Sequence, residues 1–435
     1  MQNRLIQVVD DANNAPANTN WNKWKEKYAG RSSSLFSAII EYFRASAYEG
    51  HPKGATGNKN KKIIHNLIDR KDSKYAWTPL HWAASAGRLD EMRTLVEHGA
   101  DPLILSNLDA SILHAAAESR MDRGLRGALK IWKRCSDRLD INQVNRWGET
   151  ALHVAAWCSA ASVKLLLDAG ADPDVREENG QVPLHCAGLS EDGPDRRQIA
   201  ALLCEAKTTT STGGGDSGRG SSSSSNDHIN AQDLDGRPPI FDFLDDPDCV
   251  ELLVRHGARL DIADYTGNNV LHHACLQGEI KSLEAIFDLA LNKSNNNNDD
   301  ITDNIIPLNA ATITARNENG NTPLIEALSA ANVDCAMVLL NCLTSSPSDE
   351  KNMGKEGTMV VGKDGWAPVH YAAKIGDPGL LEAVFKHPSF EKGAKTLDLK
   401  RANVVAMEAG NWSGRVKELI LRHDYMPRSM SWDEE

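Results

Sequence analysis

The feature that most constrains this chain is that it repeats itself. Near Thr78 the sequence runs Thr78-Pro79-Leu80-His81-Trp82-Ala83-Ala84-Ser85-Ala86-Gly87, and closes with Leu95-Val96-Glu97-His98-Gly99-Ala100-Asp101. The frame returns at Leu113-His114-Ala115-Ala116, at Thr150-Ala151-Leu152-His153-Val154-Ala155-Ala156 and at Val182-Pro183-Leu184-His185-Cys186-Ala187. Further copies follow at Pro239-Ile240-Phe241, Val270-Leu271-His272-His273-Ala274-Cys275, Thr322-Pro323-Leu324-Ile325-Glu326-Ala327 and Ala367-Pro368-Val369-His370-Tyr371-Ala372-Ala373-Lys374-Ile375-Gly376. His81 and His114 are 33 residues apart, and His153 and His185 are 32 apart. Units of this period bury their apolar faces only by stacking on neighbours.

Each recurring residue type has a physical task. The dipeptides Trp147-Gly148 and Asn319-Gly320 supply turns between units. Thr78 and Thr150 are expected to cap a helix, and Pro79 suits its first turn. Leu80 fills the core, while Ala83 and Ala84 let two helices approach closely. Gly87 and Gly376 allow the left-handed residue that ends a helix. Val163, Leu165, Leu166 and Leu167 give a second helix its apolar side.

Thr-Pro-Leu-His-x-Ala-Ala-x-x-Gly, closed by Gly-Ala-Asp, resembles the ankyrin repeat. About eight copies cover roughly residues 75–390. The resemblance implies an all-α solenoid of helix-turn-helix units joined by β-hairpin loops. It also implies that the recurring histidine is structural and hydrogen-bonds the loop of the neighbouring unit.

Three intervals exceed the period, and the surplus falls on low-complexity insertions near 207–226, 292–304 and 345–357. These are too polar to pack and are expected to be inert loops. The expected organisation is a disordered N-terminus at 1–20, then a helical cap or incomplete repeat at 21–74. A repeat domain follows at 75–423, with a disordered acidic tail at 424–435. The cap carries Leu35, Phe36, Ile39, Ile40 and Phe43 at helical spacing, and 402–410 echoes a first helix as a ninth, capping repeat.

Composition removes several functions. The formal net charge of -12 disfavours a dedicated nucleic-acid binder. One basic cluster, Lys59-Asn60-Lys61-Lys62, fits a solvated helix start better than a nuclear address. No run of about 18 apolar residues occurs, so no membrane span is expected. The 8 cysteines are scattered without a CxxC pair, which points to a reducing compartment, cytoplasmic and/or nuclear. The histidines tempt a metal reading, but equivalent positions in stacked units lie about 10 Å apart, too far to share one ion. No phosphate loop or nucleophile elbow is present. The chain is therefore expected to be a non-enzymatic monomer without cofactor or metal.

A partner protein or peptide is the expected ligand, since ankyrin-like stacks bind on the face made by hairpin tips and first helices. Projected onto this sequence, that face carries Tyr75 and Trp77, then Arg146, Trp147 and Trp157, then Tyr265 and Trp366. Arg237, Asp245 and Asp246 share the same register in the fifth copy. Tyr75, Trp77, Trp147 and Trp157 are expected to form one aromatic strip, because Trp and Tyr dominate binding hot spots. The alternative is an enzyme or small-molecule binder that uses a pocket in the same groove.

Overall fold

The computed structural model describes residues 68–71, 76–119, 122–135, 137–190, 193–206, 227–292, 308, 310–344, 361–362, 365–387, 390, 394–412 and 414–425. Tyr75 and the insertions near 207–226 and 345–357 lie outside these residues, as does all but the first residue of the insertion near 292–304. The N-terminus and the basic cluster lie outside them too, together with the expected cap apart from 68–71 and the tail after 425.

The chain divides into two compact units, 1–228 and 229–435. In the first, helix pairs follow one another: α1 (Pro79–Ser85) and α2 (Leu89–Glu97), α3 (Ile112–Ala117) and α4 (Asp122–Arg134), α5 (Ala151–Cys158) and α6 (Ala160–Asp168), then α7 (Pro183–Gly188) and α8 (Gly193–Cys204). First helices pack on first helices, α1 on α3, α3 on α5 and α5 on α7. Second helices form a parallel layer of their own, α2 on α4, α4 on α6 and α6 on α8.

The second unit repeats this two-layer plan. Its first-helix layer holds a 3-10 turn (Pro239–Phe243), α10 (Val270–Gln277), α13 (Pro323–Ser329), α15 (Pro368–Ile375) and α17 (Ala402–Glu408). The other layer holds α9 (Pro247–Arg255), α11 (Ile280–Asn292), α14 (Val333–Thr344), α16 (Pro378–Lys386) and α18 (Gly414–Ile420). A short α12 (Ala310–Ile313) precedes the Asn317–Asn321 turn. In the fifth copy the sequence Pro238-Pro239-Ile240-Phe241 gives a 3-10 turn where the others give an α-helix.

The alanines act as expected. Ala83 and Ala84 are fully buried, as are Ala155 and Ala156. The second layer approaches closely because of a glycine pair that motif reading does not flag. A Cβ on Gly124 of α4 would lie 2.0 Å from the Ala84 carbonyl oxygen, so that backbone contact admits no side chain. At Gly127 a Cβ would meet the ends of Leu89 at 2.6 Å and Met92 at 2.8 Å, both flexible.

The hairpin tips are tight turns. Asn145 N–H donates to Glu149 O at 2.9 Å, and Glu177 N–H to Gln181 O at 2.9 Å. Asp264 N–H donates to Asn268 O at 2.9 Å, and one bridge, Ala263 with Asn269, flanks that tip. Successive tips are tied together through their backbones, Arg146 N–H to Leu108 O at 2.8 Å and Glu178 N–H to Trp147 O at 2.9 Å. Gly148 at the tip has φ 77, and Leu399 holds the same left-handed turn position at φ 60. That region suits glycine, so Leu399 carries backbone strain.

Candidate partner-binding site

The recurring histidine builds the frame on which the site sits. In the first unit its Nδ1 accepts the N–H of the residue three positions earlier: Thr78 to His81 at 3.3 Å, Ser111 to His114 at 3.1 Å and Thr150 to His153 at 3.1 Å. Nδ1 is thus the acceptor, and the proton sits on Nε2. Nε2 then donates across to the next tip: His81 to Ala110 O at 3.2 Å, His114 to Glu149 O at 2.9 Å and His153 to Gln181 O at 3.2 Å. His272 does the same to Asn321 O at 3.1 Å, and His370 to Ala394 O at 3.1 Å. Burial holds His153 at a pKa of about 4, and pushes His114 and His272 down as well. These rings are neutral pins between repeats, unsuited to proton transfer near pH 7. Among the described residues no His, Cys, Asp and Glu cluster could hold a metal ion.

The pinned tips bring two registers together: the residue just before each first helix's N-cap, and the residue four positions after the histidine. In the first unit these hold Trp77 and Ser85, Ala110 and Glu118, and Glu149 and Trp157. They line a cavity of about 700 Å³ together with Trp82, Leu108, Asn145, Trp147 and Val154. Three of the sequence-expected residues, Trp77, Trp147 and Trp157, thus meet in one place. Arg146 is exposed beside them but does not line the cavity.

The four indoles are held differently. Trp77 is half-buried and meets Trp82 edge-on, with ring centroids 4.8 Å apart at 64°. Trp147 and Trp157 remain 46% and 41% exposed. Trp132 shows the contrasting structural use, its indole N–H donating to Leu139 O at 2.8 Å. No such bond engages the indole N–H of Trp147 or Trp157 among the described residues. Their backbones are fixed all the same, since Trp147 N–H donates to Asn145 Oδ1 at 2.9 Å and its carbonyl accepts from Glu178.

The remaining expected residues lie in the second unit. Tyr265 is 70% exposed on a tip whose N–H donates to Asp235 O at 2.9 Å. Trp366 is half-buried against Tyr371 at 5.0 Å, and the Lys374 ammonium lies 5.6 Å from its ring centroid. Asp246, expected on the binding face, is instead buried: its Oδ1 caps α9 by accepting from Asp248 N–H at 3.1 Å. A carboxylate at a helix N-terminus satisfies orphan donors there, which outweighs its exposure. Arg237 is likewise engaged, with Asp242 at 3.1 Å.

Sequence reading missed several lining residues, Trp82, Leu108 and Glu118 among them. Trp82 occupies the variable position of the motif, where periodicity carries no information. Leu108 and Glu118 lie in the second copy, whose tip lacks the usual glycine; Asp109 takes the left-handed turn there at φ 57.

Comparison with known proteins decides the family. Residues 54–131 match the model for ankyrin repeats in three copies, and residues 135–187 match a second ankyrin-repeat model. The chain is an ankyrin-repeat protein. It is 32% identical over 128 residues to the transient receptor potential cation channel subfamily A member 1 homolog of Caenorhabditis elegans, covering 29% of this chain and 10% of that protein. It is 35% identical over 138 residues to the palmitoyltransferase AKR1 of Lachancea kluyveri, covering 30% of this chain and 18% of that protein. Among solved structures, the ankyrin repeat domain of Bcl-3 matches at 24% identity and a TM-score of 0.42, covering 60% of this chain and 98% of that one. The chain spans about a tenth of the length of the first curated relatives it matches. No helix among the described residues is long and apolar enough to cross a membrane.

Ankyrin repeats are generally protein–protein interaction modules, and the ankyrin fold is typically non-enzymatic.

Proposed function

We propose that this ankyrin-repeat chain is a non-enzymatic adaptor whose first unit seats a segment of a partner protein in the tryptophan-lined cavity. One observation carries the reading. Trp77, Trp147 and Trp157 come from two repeats and line a single cavity of about 700 Å³, with two of the rings left exposed on rigid backbones. Rigid aromatic rings around a concavity are what a hot spot requires, because they gain contact area without losing much side-chain freedom. The relatives support a binding role in another way. A cation channel and a palmitoyltransferase perform unrelated chemistry, yet each is similar to this chain over a stretch of 128 and 138 residues respectively.

A small-molecule enzyme in the same groove is the weaker reading, because the histidine nearest the cavity, His114, is a buried neutral pin. We place the chain in a reducing compartment, cytoplasmic or nuclear, as a monomer until it meets its partner. The cysteines that support this placement include Cys186, Cys204, Cys249 and Cys275, all buried. The test is affinity purification of the full chain with mass spectrometry, beside a Trp147→Ala/Trp157→Ala variant. One partner recovered in stoichiometric amount with the native chain, and lost with the variant, is expected. Equal recovery by both removes the cavity from the binding surface.

A further inference from the structure

We propose that residues 426–435 fold over the outer face of the ninth repeat, with Trp432 seated on Leu397 and Leu399 at its tip. Repeats hand the stack on by three devices. The recurring histidine bonds the next tip. The alanine three positions after it receives the next second helix, as Gly124 against Ala84 shows. The turn glycine takes the backbone of the next tip. A Cβ there would lie 3.0 Å from the Glu178 amide nitrogen at Gly148, 3.0 Å from that of Tyr265 at Gly236 and 2.9 Å from that of Leu397 at Gly365. The ninth repeat replaces all three. With Ala406 and Gly410 in the places of Ala83 and Gly87, Val404 stands for the histidine, Met407 for Ala84 and Leu399 for the turn glycine. The side chain of Leu399 fills the space through which a further tip's backbone would approach. What this repeat presents instead is apolar: Leu397 is 72% exposed, Leu399 74% and Met407 50%. A terminal repeat ordinarily turns a polar face outward, so this face is built to be covered, and by something other than another such tip.

Length and register say what covers it. Nine residues separate the residue that ends a second helix from the second residue of the next tip: His98 from Asn107, Ala169 from Glu178 and His256 from Tyr265. The run Glu418-Leu419-Ile420-Leu421-Arg422-His423 repeats Glu251-Leu252-Leu253-Val254-Arg255-His256, which aligns His423 with His256. Nine residues beyond His423 stands Trp432. The tryptophan therefore falls at the register from which Tyr265 meets Gly236 and Leu397 meets Gly365. Leu399 changes the contact from backbone on glycine to ring on side chain, and an indole covers more apolar surface than any other side chain could there. Charge agrees with this placement. Asp433, Glu434 and Glu435 follow the tryptophan, Arg428 is the only basic residue of the segment, and Lys395 and Lys400 flank Leu397 and Leu399. Opposite charges beside an apolar contact fix its direction. A stack closed in this way by its own chain leaves no apolar end for a second copy.

The test uses the full chain carrying fluorinated tryptophan, with the Trp432 signal assigned by its loss in Trp432→Phe. Broadening of that signal by a soluble nitroxide is compared with its broadening in the free peptide Met-Pro-Arg-Ser-Met-Ser-Trp-Asp-Glu-Glu. The native chain is expected to be broadened several-fold less than the peptide, at every protein concentration. Leu397→Ser/Leu399→Ser is expected to restore the peptide's broadening while the other tryptophan signals stay in place. A reciprocal readout leaves the leucines intact: Trp432→Ser is expected to shift the methyl resonances of Leu397 and Leu399, which lose the ring current. Peptide-like broadening in the native chain, protection that survives Leu397→Ser/Leu399→Ser, or methyl resonances unmoved by Trp432→Ser overturns the proposal. Protection that appears only as concentration rises gives the face to a second copy and overturns it as well.

Discussion

Trp77 and Trp366 occupy the same place in two copies of one motif, and the molecule treats them alike up to one residue. Both stand just before a helix N-cap, and both pack on an aromatic five residues later. In the second unit the next turn of the helix brings Lys374 over the ring. In the first it brings Ser85, and the space is open to Trp147, Trp157 and two carboxylates. The frame is fixed by residues that recur; the use made of it depends on those that do not.

The largest effect is expected from disturbing the frame itself. Gly124→Ala would place a methyl 2.0 Å from the Ala84 carbonyl, a backbone group that cannot move aside. We expect a loss of about 3 kcal/mol, seen as a lowered denaturant midpoint. Gly127→Ala meets only flexible side-chain ends and is expected to cost less. Acid should act on the frame next. His153 is held at a pKa of about 4 when folded, whereas an unfolded histidine titrates near 6.5. Between those values the unfolded chain binds more protons, so stability falls as pH is lowered through the window and is retained above it. His153 alone is expected to contribute a loss of about 2 kcal/mol at pH 5. His114 and His272 are shifted in the same direction by burial, so thermal unfolding from pH 7.5 to 5 should show a steeper fall than one residue gives.

Smaller effects separate the two aromatic groups. Lys374→Ala removes a cation from Trp366 at the surface, and a loss of about 0.5–1 kcal/mol is expected. Trp147→Ala/Trp157→Ala removes rings that are 46% and 41% exposed, and a stability change within about 0.5 kcal/mol is expected, by chemical denaturation.

How much of this was legible in the sequence follows from the same division. The histidines and the turn glycines were visible because they recur, and the bonds of the histidines to the next tip were what the ankyrin resemblance implied. Ala83 and Ala84 announced close helix packing. Gly124 did not, because an isolated glycine in a helix looks only like poor helix propensity; its reason is the carbonyl of Ala84, some forty residues earlier in the chain. Trp77, Trp147 and Trp157 were legible as candidates from their register, whereas Trp82 and Glu118 required knowing which side chains face one cavity. Asp246 was misplaced for a related reason. Register put it on the binding face, but the fifth copy folds as a short 3-10 turn in place of the first helix, and the Asp246 carboxylate caps α9. Trp366 held its register, yet its neighbour Lys374 covers it.

The most direct measurement compares the two groups in one experiment. Partner capture and melting temperature are read side by side for Trp147→Ala/Trp157→Ala and for Trp366→Ala in the full chain. The first variant is expected to lose the partner while its melting temperature holds, and the second to keep the partner while its melting temperature falls. A first variant that unfolds, or a second that loses the partner while remaining fully stable, would contradict the assignment of an open aromatic site to the first unit and a self-covered one to the second.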